Sequence, residues 1–406
     1  MKIAIINTLY YPNVVGGAER SVQFLAEALV NKGHEVVVIC TAPEQGIQTE
    51  RLNGVKVYYL GLKNIYWQFS DKNQPSALKL IWHGLDTYNP MMAKVVGSIL
   101  KAEHPDIVHT NNLGGFSVAV WRVIKKYGFP LIHTLRDHYL LCPPSTMFKG
   151  QKNCEHQCVK CRLYAFPRQR ATQQVDSVVG ISRFILNRHL AFGSFKTVTR
   201  HQVIFNAYDV IYNPNQPSVV AYSKLDRVNR PLKLGYLGRL HPIKGLELLL
   251  DTVTRNFSEN ECEIWIAGKG EQRYDNQLKN SFNSSIVYFM GHVEPAELFN
   301  KIDILVVPSL CHEAFGRIII EAYAHGVPVI GSNRGGIPEI IESGKTGFVF
   351  EPNDMDSLIT KIKYFVDDPH LVEKMRPAVL EKAKEFLPER IVNQYITVYQ
   401  QILALT

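Results

Sequence analysis

The sequence has no apolar run near the ~18 residues needed to cross a bilayer. It opens on MKIAIINTLYYP, whose four-residue apolar run is too short for the core of a secretion signal. A soluble, cytoplasmic protein is the expectation, peripheral at most on the inner face of the membrane. Cysteine is scarce, seven in 406 residues, which excludes a disulfide-stapled scaffold and leaves thiols or metal ligands. Glycine (27) and proline (21) are ordinary, so collagen-like and linker-like chains are excluded. Zinc-finger, homeodomain and RNA-recognition signatures are lacking, so nucleic acid is not an expected partner. What is there is globular: 46% hydrophobic and 20% charged residues, in a length that suits two domains. The net charge of +8 suits phosphorylated small molecules or anionic lipid.

Short apolar runs alternate with helical spacing along the chain. Strands are expected at 2–7, 35–41, 55–60, 106–110, 130–135, 177–181 and 202–205, with helices such as 18–31, 78–103 and 116–126 between them. The stretch 206–231, with Asn213, Pro214, Asn215 and Pro217, breaks the alternation and reads as a linker. Strands resume at 232–237, 261–267, 285–290, 303–307, 327–331 and 347–350. The fold class is therefore α/β, with two doubly wound domains at 1–205 (including a Cys-rich loop, 142–161) and 232–387. A helix at 388–406 is expected to pack back onto the first domain.

Four motifs carry chemistry. Gly16-Gly17, between the first strand and helix, would admit backbone amides to a phosphate, or simply make a tight turn. Arg239 and Lys244, in LGRLHPIKG after a strand, would clamp a diphosphate through a planar fork and a point charge. Gly268 and Gly270, in AGKG, permit close approach to a ligand but lack the third glycine of a dinucleotide fingerprint. The most specific is Glu313-Ala-Phe315-Gly316-Arg317-Ile-Ile-Ile-Glu321. If a helix starts near Phe315, Glu313 lies in the preceding loop, Glu321 about two turns in, and the Gly316–Ile318 amides face an anion. Each carboxylate can accept two hydroxyl donors, as neighbouring sugar hydroxyls would supply.

With Gly16-Gly17-Ala18-Glu19, Gly238-Arg239, Lys244-Gly245, the Glu313/Glu321 pair and Arg334-Gly335-Gly336-Ile337-Pro338-Glu339, the chain resembles, over essentially its whole length, the retaining glycosyltransferases of family 4. The resemblance implies a GT-B fold of two facing Rossmann-like domains with a deep interdomain cleft. It implies transfer of a sugar from a UDP- or GDP-sugar to a glycan or lipid-linked acceptor, with retention and without a catalytic metal, in polysaccharide or glycolipid synthesis. Arg239 and Lys244 would hold the diphosphate, Glu313 the donor-sugar hydroxyls and Glu321 the ribose. The amides near Gly16, Gly17, Phe315, Gly316 and Arg317 would contact sugar and phosphates, and Gly268, Gly270 and Val293 would shape the base pocket. A GT-B epimerase or phosphorylase, or a non-catalytic sugar-nucleotide-binding protein, is the alternative.

The first half departs from the family pattern. Where similar enzymes often carry a His-Asp at a strand end, this chain reads His133-Thr134-Leu135-Arg136-Asp137-His138. Asp137 is the favoured catalytic candidate, ahead of His133 and Arg136; a strand-end polar cluster that only orders a loop is the alternative. Cys142, Cys154, Cys158 and Cys161 fall within twenty residues and form a candidate structural zinc set. An iron–sulfur cluster and plain thiols remain open. The segment 65–99, with Trp67, Phe69, Leu80, Ile81, Trp82, Met91 and Met92, is a candidate for contact with a lipid-linked acceptor or an anionic membrane, or for core.

Overall fold

The computed structural model describes residues 1–70, 74–208 and 230–405. Most of the expected linker, 206–231, including Asn213, Pro214, Asn215 and Pro217, lies outside the described residues. The strands, in chain order, are β1 (Lys2–Ile6), β2 (Glu35–Ala42), β3 (Ile47–Leu52), β4 (Val55–Gly61), β5 (Ile107–Thr110), β6 (Leu131–Leu135), β7 (Phe148–Lys149), β8 (Lys152–Asn153), β9 (Ser177–Gly180) and β10 (His201–Val203). They continue with β11 (Leu232–Leu237), β12 (Cys262–Ala267), β13 (Val287–Gly291), β14 (Ile304–Val307), β15 (Val329–Ser332) and β16 (Gly347–Phe350).

The chain divides into two compact units: Met1–Met147 with Cys154–Asn206 and Pro388–Thr406, and Phe148–Asn153 with Ala207–Leu387. The β7–β8 hairpin, in the middle of the Cys-rich loop, thus groups with the second unit rather than with the residues on either side of it.

The first unit holds an eight-stranded sheet of order β10-β9-β6-β5-β1-β2-β4-β3. It is parallel except for β3, which pairs antiparallel with β4 from Ile47↔Leu60 to Leu52↔Val55. IQTERL offers no apolar run because β3 is an edge strand with an exposed surface, so periodicity does not reveal it. The central strands are buried throughout, which is why KIAII and EVVVICTA read as apolar runs. The expected helix 78–103 is two, Ser76–Thr87 and Pro90–Glu103. Pro90 starts the second, and Asn89 caps it by accepting from the Met92 amide at 3.1 Å. The helix Pro388–Leu403 is tied to this unit by buried bonds: His109 Nδ1 shares one with Tyr399 Oη at 2.8 Å, and Thr134 Oγ1 one with Tyr395 Oη at 3.3 Å.

The second unit is a six-stranded parallel sheet, β13-β12-β11-β14-β15-β16. Strand order reverses between β11 and β14, the switch point beyond whose carboxyl ends open α/β sheets bind ligands.

Candidate active site

Both strands at that switch point end in the predicted motifs. After β11, Gly238-Arg239-Leu240 leads into a single 3-10 turn, Pro242–Lys244. Gly245 follows with φ +73°, and a Cβ there would stand 1.9 Å from the Pro308 carbonyl oxygen just past β14. Only glycine lets the turn lie against the end of β14. Lys244 Nζ consequently donates to Glu313 Oε1 at 2.6 Å. Glu313 Oε1 also accepts from Ser309 Oγ at 2.7 Å, and among the described residues Oε2 accepts no bond. Burial alone would lower the Lys244 ammonium; the Glu313 charge outweighs it and the pKa is raised. Burial would raise Glu313, but the Lys244 charge and its hydrogen bond lower it. The two therefore stay an ion pair. Arg239 is exposed, and its guanidinium has no ion-pair partner among the described residues.

The loop carrying Glu313 is clamped on both sides. Gly335 has φ +63°, and a Cβ there would meet the Glu313 carbonyl oxygen at 2.0 Å. The Gly336 amide donates to that same oxygen at 2.8 Å. From the hairpin, Asn153 Nδ2 donates to the Leu310 carbonyl and its Oδ1 accepts from the His312 amide, both at 2.8 Å.

The helix after Glu313 spans Arg317–Ala324, two residues later than expected, with Gly316 as its N-cap. Glu321 is one turn in rather than two, and its Oε1 accepts from Arg317 Nε at 2.8 Å. The Phe315 side chain is not in the open: it is buried, with its ring 6.1 Å from that of Phe386, so only its backbone can meet a ligand. Gly268 and Gly270 lie beside the Arg239 loop. Leu240 bridges to Gly270, its amide donates to the Lys269 carbonyl at 3.0 Å, and the Gly268 amide donates to Gly291 at 2.7 Å. Val293, two residues past β13, is half-buried. Arg239, Lys244, Gly268, Gly270 and Glu313 thus lie in the loops that follow the carboxyl ends of β11, β12 and β14, and Gly316, Arg317 and Glu321 lie at the start of the helix after the Glu313 loop.

In the first unit, Gly16 and Gly17 open the helix Gly17–Asn31, and Glu19 Oε2 accepts from the Gly16 amide at 2.9 Å. Asp137 follows β6, and its Oδ1 accepts from the Tyr139 amide at 2.8 Å. Burial raises its carboxyl to about 6, against the Tyr139 bond and Arg168, while the Glu19 charge adds to the rise. The glycine loop and Asp137 are therefore electrostatic neighbours. His133 and Arg136 are both buried. His133 Nδ1 shares a bond with Thr110 Oγ1 at 3.0 Å, its ring lies 5.0 Å from that of Trp121, and burial followed by the nearby His189 lowers it to about 3. Arg136 donates from Nε to Asn111 Oδ1 and from Nη1 to Asn206 Oδ1, both at 2.8 Å.

Pattern reading missed the supports of these groups. Ser309 had a faint signal, as a small polar residue just past a buried strand. Arg168 had none. It is fully buried, pairs with buried Asp86 at 3.2 Å, donates to the Tyr139 carbonyl at 2.6 Å and covers the Tyr139 ring at 3.9 Å. It thereby fixes the backbone whose amide holds Asp137.

Three of the four clustered cysteines touch one another through their thiols, and the fourth packs beside them. Cys161 Sγ donates to Cys142 Sγ at 3.8 Å and also bonds to Cys158, while Cys154 packs on an apolar cluster of Leu141, Cys142 and Met147. Burial, followed by the neighbouring Cys142 and Cys158, raises the Cys161 thiol. Among the described residues no three His, Cys, Asp or Glu side chains are placed to hold a metal ion. Trp82 and Met92 of the segment 65–99 are core residues, whereas Leu80, Ile81 and Met91 are exposed.

A family model described as Glycosyltransferase Family 4 matches residues 15–211, and one described as Glycosyl transferases group 1 matches residues 231–368. An uncharacterized 42.6 kDa protein in the cps region of Klebsiella pneumoniae is 33% identical over 98% of this chain and 100% of its own. Among solved structures, sucrose-phosphate synthase from Thermosynechococcus elongatus superimposes with a TM-score of 0.76 at 20% identity, covering 100% of both chains. Anabaena HepE in complex with UDP superimposes with a TM-score of 0.70 at 21% identity, over 99% of this chain and 100% of that one. The fold is the GT-B pairing of two Rossmann-like domains.

Proposed function

The chain belongs to the family 4 glycosyltransferases, and from that premise we propose that it transfers a sugar from a nucleoside-diphosphate sugar to a hydroxyl of a glycan or lipid-linked acceptor, with retention, in cell-surface polysaccharide or glycolipid synthesis. The observation that carries the reading is the Lys244–Glu313 pair beside exposed Arg239 at the switch point of the second sheet.

Breaking the anomeric C–O bond leaves negative charge on the departing diphosphate. In this reading Lys244, Arg239 and the amides at the start of the helix Arg317–Ala324 meet that charge as it develops. These fixed cations do the work that a divalent ion does in other transferases. Because Glu313 Oε1 is already committed to Lys244 and Ser309, Oε2 is the oxygen that accepts the donor sugar's hydroxyls. Glu321, oriented by Arg317, accepts the ribose hydroxyls. The leaving phosphate oxygen takes the acceptor proton on the face it departs from, so no protein nucleophile is required. The Gly16-Gly17 amides contact the donor's sugar and phosphates, Asp137 is the catalytic candidate of the first domain, and Gly268, Gly270 and Val293 border the base. The complex of HepE with UDP supports a uridine donor, with a GDP-sugar as the other arm of the test.

The experiment is a thermal-shift screen over UDP- and GDP-sugars, followed by transfer to an acceptor pool with the anomeric proton of the product read by NMR. A stabilising donor, released nucleoside diphosphate and a product with the donor's configuration support the reading. An inverted product, or binding without transfer or hydrolysis, overturns it.

A further inference from the structure

The helix Val159–Ala171, which the sequence patterns did not single out, presents a stripe of large apolar side chains to solvent. Val159, Leu163 and Phe166 stand at i, i+4 and i+7, and are 76%, 71% and 64% exposed. Its other side, Ala165, Arg168 and Ala171, is buried. Every charged residue on this helix is basic. Arg168 is consumed by Asp86 inside the fold. Lys160, Arg162 and Arg170 are exposed and have no ion-pair partner among the described residues. At 100° per residue, Arg162 and Arg170 fall on or beside the apolar stripe, and Lys160 lies on its flank.

The neighbouring helix extends the patch. Tyr164 Oη donates to the Leu80 carbonyl at 3.3 Å, and the Tyr164 ring lies 6.2 Å from that of His83, so the two helices are packed together. Leu80 and Ile81 are 49% and 53% exposed on this second helix. A surface of this kind is apolar at its centre, cationic at its margin and free of acids along the helix that dominates it.

We propose that this surface docks the protein on an anionic lipid bilayer, with Val159, Leu163 and Phe166 entering the headgroup boundary while Lys160, Arg162 and Arg170 meet lipid phosphates. Long basic side chains reach upward from such a stripe while their stems cover apolar surface. The charge pattern selects this occupant. A second copy of the chain, placed by two-fold symmetry, would set the same cations against one another with no acid on this helix to answer them. A bilayer rich in phosphatidylglycerol presents a continuous negative surface instead.

The test is flotation of the full chain with vesicles of equal parts phosphatidylglycerol and phosphatidylcholine, and with vesicles of phosphatidylcholine alone, at low and high salt. The intact chain is expected to float with the anionic vesicles at low salt, less at high salt, and to stay behind with the neutral ones. The double variant Leu163→Glu/Phe166→Glu should stay behind. The triple variant Lys160→Glu/Arg162→Glu/Arg170→Glu should lose on the order of 100-fold in partition, one decade or less per cation. These side chains are exposed, so circular dichroism should be unchanged. Failure of the intact chain to float overturns the proposal, as does flotation of both variants at the intact level. A concentration-dependent dimer in sedimentation that the Leu163→Glu/Phe166→Glu change abolishes would reassign the face to a second copy. None of these readouts involves sugar transfer, so the proposal stands or falls apart from the assigned activity.

Discussion

Lys244 and Glu313 are 69 residues apart in the chain and 2.6 Å apart in the fold, where each holds the other in its charged form. The pair joins the turn after β11 to the loop after β14. The charge that would serve a departing diphosphate is thereby placed beside the carboxylate that would read the sugar.

Lys244→Ala should lower transfer by about two orders of magnitude, corresponding to ~3 kcal/mol of lost charge stabilisation. Turnover with saturating donor is the measurement, alongside circular dichroism to show that the fold persists. Glu313→Gln keeps the shape but removes the charge that raises Lys244, so it should weaken donor binding as well as turnover. Near-normal rates in either variant would detach the pair from the reaction.

Gly245→Ala separates steric demand from glycine preference in general. Its Cβ would meet the Pro308 oxygen at 1.9 Å, whereas Gly344, with φ +83°, has nothing within 4 Å of the same added atom. Gly344→Ala should cost about 1 kcal/mol, from backbone conformation alone. Gly245→Ala should cost at least ~2 kcal/mol more and reduce activity, because Lys244 moves with the turn. Denaturant midpoints of the two variants make the comparison.

Arg168→Met leaves Asp86 buried without its partner and frees the Tyr139 carbonyl. Breaking one side of such a pair costs about 3–5 kcal/mol. The unfolding midpoint should drop accordingly, and the double variant Arg168→Met/Asp86→Asn should recover part of the loss. Equal midpoints for single and double variants would show that the charge pair is not the cause.

Asp137 gives a pH prediction with a definite sign. Its folded pKa is raised from 3.8 to about 6, so the folded chain keeps this proton where the unfolded chain has lost it. The contribution to stability is fully present below 3.8 and is lost as pH rises through about 6. Asp137→Asn keeps the oxygen that accepts from Tyr139 but cannot ionise. It should therefore be more stable than the parent at pH 8, by about 1–3 kcal/mol, with the gap closing toward pH 4. Asp86, also raised to about 6 by burial, titrates in the same window and is unaffected by this change. Melting temperatures across that range decide it; a gap that widens in acid would contradict the burial of Asp137.

Tyr399→Phe removes one hydroxyl, the one bonded to His109 Nδ1 at 2.8 Å. The loss should be about 1 kcal/mol, since the imidazole is left with an unanswered polar atom. Urea midpoints measure it. No change would mean that the His109–Tyr399 bond does not help to hold the helix Pro388–Leu403.

By itself the sequence determined what is local. Runs such as KIAII and EVVVICTA must be buried strands because both faces are apolar, and glycines at strand ends mark tight turns whatever surrounds them. The motif around Glu313 and Glu321 was legible for the same reason: its residues are consecutive, and only the start of its helix moved. The tertiary structure alone decided which distant groups meet. Asn153 clamps Leu310 across 157 residues, and Arg168 neutralises Asp86 across 82. It also decided that Phe315 and Trp82 are inside while Val159, Leu163 and Phe166 are outside. Periodicity records the alternation of apolar and polar side chains within one element. Which neighbour covers that element, and which buried charge finds its partner, is settled only when the elements pack.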